Sequence, residues 1–191
     1  MCGDAQPGLD LSIPNLITLA RILSVPIMVW AIASGEMLFA FVLFAVAGIS
    51  DAVDGFLAKR FGMASELGAY LDPLADKTLL VSIYVTLGIE GNIARWLVIL
   101  VVSRDVMIVG AVMLSWLVGK PIAVKPLLVS KVNTAAQIVL VGLVLGSLGF
   151  GIELGVLLTA ATYVVAALTL ISVGAYVREW VLHMGSPESQ V

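Results

Sequence analysis

The chain has 191 residues, of which 61% are hydrophobic and 12% charged, and its formal net charge is −3. A soluble domain carries about twice that charged fraction, so the composition excludes an ordinary soluble enzyme and implies no nucleic-acid partner. The single cysteine, Cys2, excludes an intramolecular disulfide and a cysteine-based metal site.

The expected fold is an all-α integral membrane protein, one membrane domain over residues 1–191, with six transmembrane helices and a short N-terminal interfacial segment at 1–13. The first residues, Met1 to Leu11, are polar and acidic. They lack the basic start of a signal peptide and the arginines of a transit peptide, so the first helix is expected to act as an uncleaved anchor in a bacterial inner membrane. Ser12-Ile13-Pro14-Asn15 reads as an opening turn. Helix one is expected from Asn15 to Ser34, with Asn15, Thr18 and Arg21 on one face. Arg21 either snorkels to the headgroups or faces a polar pocket. Helix two is expected from Met37 to Lys59, and helix three from Gly68 to Leu87 with Pro73 in its first turns. Gly88 to Asn92 reads as a turn.

Helix four is expected from Ile93 to Val118 and holds Ser103-Arg104-Asp105. A loop with Lys120, Pro121, Lys125 and Pro126 leads to helix five, expected from Lys131 to Leu148. Helix six is expected from Leu154 to Val181, followed by a loose tail at 185–191. His183, alone near the end, reads as a headgroup-level residue. Lys59, Arg60, Lys120, Lys125, Lys131 and Arg178 fall on one side of this topology and Arg95 on the other. The basic side is expected to be cytoplasmic, which places both termini there.

Within this apolar chain stand four acids, Asp51, Asp54, Asp72 and Asp76. Each would cost roughly 2.5–3.5 kcal/mol at mid-bilayer, so they are expected to be paired, metal-bound or in a wet cavity. Asp51, Asp54, Gly55 and Ala58 share one helical face, as do Gly68, Asp72 and Asp76. A short loop joins the two helices, so the four carboxylates can converge in one pocket that opens to the cytoplasm. Four close carboxylates repel one another unless a cation joins them. All-oxygen ligation suits hard divalent ions, Mg²⁺, Mn²⁺ or Ca²⁺. Gly55 and Ala58 keep the helix surface low where something bulky must approach.

Arg104, Lys77 and Lys131 are candidates for a second, basic pocket beside the acidic one. Arg104 and Asp105 also read as a buried structural pair that pins helices four and five.

The spacing D-x2-D-G-x2-A-x9-G-x3-D-x3-D, matched at Asp51, Asp54, Gly55, Ala58, Gly68, Asp72 and Asp76, resembles the signature of the CDP-alcohol phosphotransferase family. Lys59 stands where that family usually has Arg, which keeps the charge and loses the bidentate fork. The resemblance implies transfer of a phosphatidyl group from CDP-diacylglycerol to an alcohol with release of CMP. It implies one or two divalent metals, Mg²⁺ or Mn²⁺, on the four Asp, with Asp76 as general base. It places Asp51, Gly55, Ala58, Lys59 and Gly68 against the CDP-lipid, with Thr18 beside them, and it implies a homodimer.

Val102-Ser103-Arg104-Asp105-Val106-Met107, Lys125-Pro126 and Ser130-Lys131-Val132-Asn133-Thr134-Ala135 are similar to the cardiolipin-forming branch of the family. The expected acceptor is therefore phosphatidylglycerol. Glycerol 3-phosphate is the alternative, as in the phosphatidylglycerophosphate-forming branch. Arg104, Lys131, Lys77 and Arg21 are the candidates for the acceptor's phosphate. A divalent-cation transporter fits less well, because the acids sit near one face and no internal repeat is visible. A non-catalytic assembly role leaves the cost of four acids unexplained.

Overall fold

A computed structural model describes residues 13–61, 66–117 and 128–185, and side chains within 22–50, 77–110 and 128–181. Among these residues there are six α-helices and no strand: α1 Ile13–Ala33, α2 Met37–Phe61, α3 Glu66–Ile89, α4 Arg95–Leu117, α5 Leu128–Phe150 and α6 Gly155–Gly185. Helix number and order agree with the sequence. The interfacial segment expected at 1–13 lies outside the described residues up to 12, and Ile13 and Pro14 already belong to α1. A proline tolerates the first helical turn, where its missing N–H has no intrahelical role, so no separate turn forms there. The tail beyond Gly185 and the loop between α4 and α5 are likewise outside the described residues.

The turns explain where the helices stop. Gly35, Gly91 and Gly151 have φ of 78°, 77° and 65°, the left-handed region where a Cβ is unfavourable. After each, an N–H reaches back five residues to close the helix: Glu36 to the Ala31 carbonyl at 2.9 Å, Asn92 to Leu87 at 2.8 Å, Ile152 to Ser147 at 2.9 Å. This is the Schellman arrangement, which satisfies carbonyls left over at a helix end. It also shifts the start of α4. The Ile93 N–H also bonds to the Leu87 carbonyl, at 3.2 Å, so Ile93 belongs to the turn and the helix begins at Arg95.

The chain divides into two compact units, residues 1–86 and 87–191. In the first, α1 packs on α2. Met28, Ala31 and Ile32 of α1 and Ala40 of α2 are buried, and the two alanines lie either side of the Gly35 turn, where small side chains let helices approach. Pro26 lies inside α1 and leaves the Ile22 carbonyl without its usual donor. In the second unit α6 packs on both α4 and α5. Leu97, Val101, Leu140, Val144, Leu145 and Val165 form its apolar core.

The distribution of polarity is that of a membrane protein. Ile99, Val106, Val139, Val156, Val164 and Leu170 are exposed, whereas Arg104, Asp105, Asn133, Gln137, Thr169 and Ser172 are buried. An apolar outside around a polar inside is unstable in water and stable in lipid. Among the described residues, Leu128–Phe150 and Gly155–Val181 are long and apolar enough to cross a bilayer. Trp30 in the last turn of α1 and Trp96 in the first turn of α4 are exposed, the placement of interfacial aromatics.

One contact yields a test. A Cβ on Gly88, in the last turn of α3, would lie 2.7 Å from Val98 Cγ2 on α4. Valine is stiff at χ1 and cannot simply swing aside. Gly88→Ala is expected to cost about 1–3 kcal/mol of stability. Thermal unfolding in detergent checks this, and Val98→Ala in the same chain is expected to recover most of the loss. Additive effects of the two changes would contradict the contact.

Candidate active site

The acidic motif is carried by two helices. α2 is helical through Phe61, so Asp51, Asp54, Gly55 and Ala58 share one of its faces. α3 is helical from Glu66, so Gly68, Asp72 and Asp76 share one of its faces. Residues 62–65, outside the described set, span at most about 14–18 Å, which keeps Phe61 near Glu66. At about 1.5 Å per residue, Asp51 and Asp76 each lie about 15 Å along the axis from those ends, and Asp54 and Asp72 about 10.5 and 9 Å. The acids thus fall at two matched depths along their helices.

Pro73 lies deeper in α3 than the sequence implies. The helix starts at Glu66, so Pro73 is past the first turn and leaves the Ala69 carbonyl without an intrahelical donor. The side chains of 51–76 lie outside the described residues, as do those of Thr18 and Arg21. Among the described side chains no group of three His, Cys, Asp or Glu is placed to hold a metal.

The basic candidates divide by environment. Lys77, one residue past Asp76, is half-buried, and Lys131, in the first turn of α5, is exposed. Arg104 is 1% exposed, the largest fully buried side chain among those described. Its Nη1 bonds Asp105 Oδ1 at 2.6 Å. Its Nη2 bonds Ser130 Oγ of α5 at 2.5 Å and Ser172 Oγ of α6 at 3.0 Å, and its Nε bonds the same Ser172 Oγ at 3.3 Å. The Tyr176 ring lies 5.9 Å from the guanidinium carbon, within cation–π range. The structure therefore ties the Arg104–Asp105 pair to three helices, where the sequence pointed to two.

The part played by α6 is not evident from the sequence. A signal was present: Thr169, Ser172 and Tyr176 recur at i, i+3 and i+7 in an otherwise apolar helix. Thr169 Oγ1 lies 3.0 Å from Asn133 Oδ1 and 2.8 Å from the Val165 carbonyl, one layer along from the Ser130–Arg104–Ser172 contact. α5 and α6 therefore meet along a polar seam, with Ser130 level with Ser172 and Asn133 level with Thr169. In lipid such interhelical bonds contribute about 0.6 kcal/mol each on average, and they fix register.

The sequence profile of the CDP-alcohol phosphatidyltransferase family matches residues 11–174. This chain belongs to that family. The match covers both halves of the acidic motif, Arg104 with its partners Asp105, Ser130 and Ser172, and Lys131. Named relatives fall on both sides of the acceptor question. A chloroplast CDP-diacylglycerol–glycerol-3-phosphate 3-phosphatidyltransferase of rice is 36% identical over 87% of this chain and 56% of its own length. A human cardiolipin synthase (CMP-forming) is 36% identical over 68% of this chain and 48% of its own length. A probable phosphatidylglycerophosphate synthase of Mycobacterium tuberculosis is 33% identical over 85% of this chain and 77% of its own length. The chain spans about half the length of the plant and human relatives.

For a CDP-alcohol phosphatidyltransferase the donor set is the point to test. Two helical faces carry four carboxylates, and the stretch from Asp51 to Asp76 contains no His or Cys. Such a set fits a hard divalent cation and does not fit zinc.

Proposed function

We propose that this chain transfers the phosphatidyl group of CDP-diacylglycerol to phosphatidylglycerol, forming cardiolipin and CMP. The observation that carries the reading is the acidic motif, matched at seven positions and departing at Lys59, with its acids on one face of α2 and one face of α3, within a chain of the CDP-alcohol phosphatidyltransferase family. Asp51, Asp54, Asp72 and Asp76 would hold one or two divalent ions, Mg²⁺ or Mn²⁺. When bound, such ions neutralise the diphosphate and the charge that builds on the leaving CMP.

The rest is work for side chains. Asp76 accepts the proton of the acceptor hydroxyl. The hydroxyl oxygen bonds to the phosphatidyl phosphorus, and the bond from that phosphorus to CMP breaks. Gly55, Ala58 and Gly68 leave room for the nucleotide, with Asp51 and Thr18 beside it. Lys59 contributes a point charge to the diphosphate in place of the family's arginine.

All six helices are proposed to cross the membrane, with the acids and both termini cytoplasmic, in a bacterial inner membrane and as a homodimer. The basic residues support this orientation: Lys59, Arg60, Lys120, Lys125, Lys131 and Arg178 fall on one side of the alternation and Arg95 on the other.

Lys131, with Lys77 and Arg21, is the proposed reader of the acceptor's phosphate. Lys131 is exposed at the start of α5, and six alternating crossings would put it on the cytoplasmic side, as proposed for the acids. Losing one charge-assisted contact costs about 1.5–3 kcal/mol, or about 10- to 150-fold in binding. Lys131→Ala is expected to raise the acceptor KM by that factor while the KM for CDP-diacylglycerol stays near its original value. An unchanged acceptor KM would remove Lys131 from the site.

The rice and mycobacterial relatives keep a second reading open, with glycerol 3-phosphate as acceptor. Offering the two acceptors separately distinguishes them. Phosphatidylglycerol is expected to be used well and glycerol 3-phosphate poorly. The reverse preference would make the chain a phosphatidylglycerophosphate synthase.

A further inference from the structure

Arg104 is unusual among the basic residues because its donors are already committed. Four hydrogen-bond contacts engage Nε, Nη1 and Nη2, and all go to Asp105, Ser130 and Ser172. Guanidinium has five N–H donors, so at most one is left for anything else. The group is also sealed from solvent, at 1% exposure. An arginine waiting for a lipid phosphate needs donors free and a path to them.

The partners show what the guanidinium does join. Asp105 belongs to α4, Ser130 to the first turn of α5, and Ser172 and Tyr176 to α6. Ser130 immediately precedes Lys131. On an α-helix that step turns the side chain by about 100°, so Lys131 stands at the rim of the face that Ser130 buries. The Ser130 hydroxyl accepts from the guanidinium, while its main-chain carbonyl accepts from the Thr134 hydroxyl at 3.1 Å. Holding Ser130 against Arg104 thus sets the height and rotation of the first turn of α5. That turn carries Lys131.

We propose that Arg104 is a positioning residue: paired with Asp105, it pins the first turn of α5 to α4 and α6 and so aims Lys131 at the acceptor's phosphate. The proposal rests on the acceptor role given above to Lys131. It takes Arg104 out of the set of acceptor ligands considered from the sequence. It also gives the serines of α5 and α6 a task.

Charge removal in pairs tests it, using the full-length chain in vesicles that contain CDP-diacylglycerol, phosphatidylglycerol and Mg²⁺. Arg104→Ala strands the buried Asp105 carboxylate, so a lower thermal midpoint and loss of activity are expected on either account. In the double variant Arg104→Met with Asp105→Leu, neither charge is stranded, and apolar packing replaces the ion pair. We expect its thermal midpoint to return to that of the parent. We expect its acceptor KM to rise about three- to tenfold with kcat retained, and to rise no further when Lys131→Ala is already present, because the guanidinium acts through Lys131. A parent-like acceptor KM in the double variant would overturn the pin, and an equal fold rise on top of Lys131→Ala would overturn the proposal by making Arg104 a ligand in its own right.

If the double variant fails to regain the midpoint, Ser172→Ala decides, since it keeps both charges. The expected result is an acceptor KM raised about three- to tenfold, with kcat and the KM for CDP-diacylglycerol unchanged. A loss of folded fraction alone would lower kcat and leave both KM values alone. Parent-like kinetics in Ser172→Ala would overturn the pin. The parent chain is the control for the proposed reaction: if it releases no CMP, that reading fails, and the midpoints alone test whether the pair joins the helices.

Discussion

Replacing Asp76 by Asn is expected to lower turnover by about 10²- to 10⁴-fold, the usual contribution of a positioned general base. The change keeps the volume of the side chain and removes only its basicity. Nucleotide binding should survive in large part, because three carboxylates remain for the metal. Asp51→Asn makes the contrast, and it should weaken metal and nucleotide binding together with turnover. Isothermal titration with CMP and Mg²⁺, beside a turnover assay, separates the two. Near-normal turnover in Asp76→Asn would withdraw the base assignment. Neither change should lower stability in metal-free buffer, since removing one of several like charges relieves repulsion.

Removal of divalent cations is expected to have the second-largest effect. On the proposed reading, the four carboxylates would oppose one another without a cation, and the diphosphate of the substrate would add negative charge at the same place. Excess EDTA is expected to abolish CMP release, and added Mg²⁺ or Mn²⁺ to restore it. Zn²⁺ is expected to restore it poorly, because the motif offers oxygen donors only. Full turnover in excess chelator would contradict the metal-centred account, and it would also remove the reason for four acids to sit in an apolar chain.

Much of the helix pattern is legible in the sequence, and its errors have physical causes. The break expected between Ser34 and Met37 lies where the structure puts it, with Gly35 as its left-handed cap. The start of α4 is not legible, because it depends on which N–H groups the Leu87 carbonyl captures. α5 starts at Leu128, earlier than the charged Lys131, because no breaker follows Pro126. α6 continues through Arg178, Glu179 and His183 to Gly185, since polar residues mark the edge of the lipid and do not stop a helix.

The site is legible to different depths in its two halves. The acids announce themselves, because a carboxylate in an apolar run needs a reason. Fixed spacing then places them on helix faces without further information. The Arg104 cluster is different. Its charge pair is adjacent in sequence and readable, but Ser172 lies 68 residues away from Arg104. Only the packing of α6 against α4 brings it there. Serine and threonine in an apolar helix are common enough to pass unnoticed, and their meaning comes from what they face.

The central claim, phosphatidyl transfer out of CDP-diacylglycerol, is tested most directly by CMP release. The purified chain, in vesicles with CDP-diacylglycerol and Mg²⁺, is given phosphatidylglycerol and the aqueous phase is assayed for CMP. The expected result is one CMP released for each cardiolipin formed, with release lost in Asp76→Asn. No CMP with phosphatidylglycerol or with glycerol 3-phosphate, from a chain shown to be folded and supplied with metal, would contradict it.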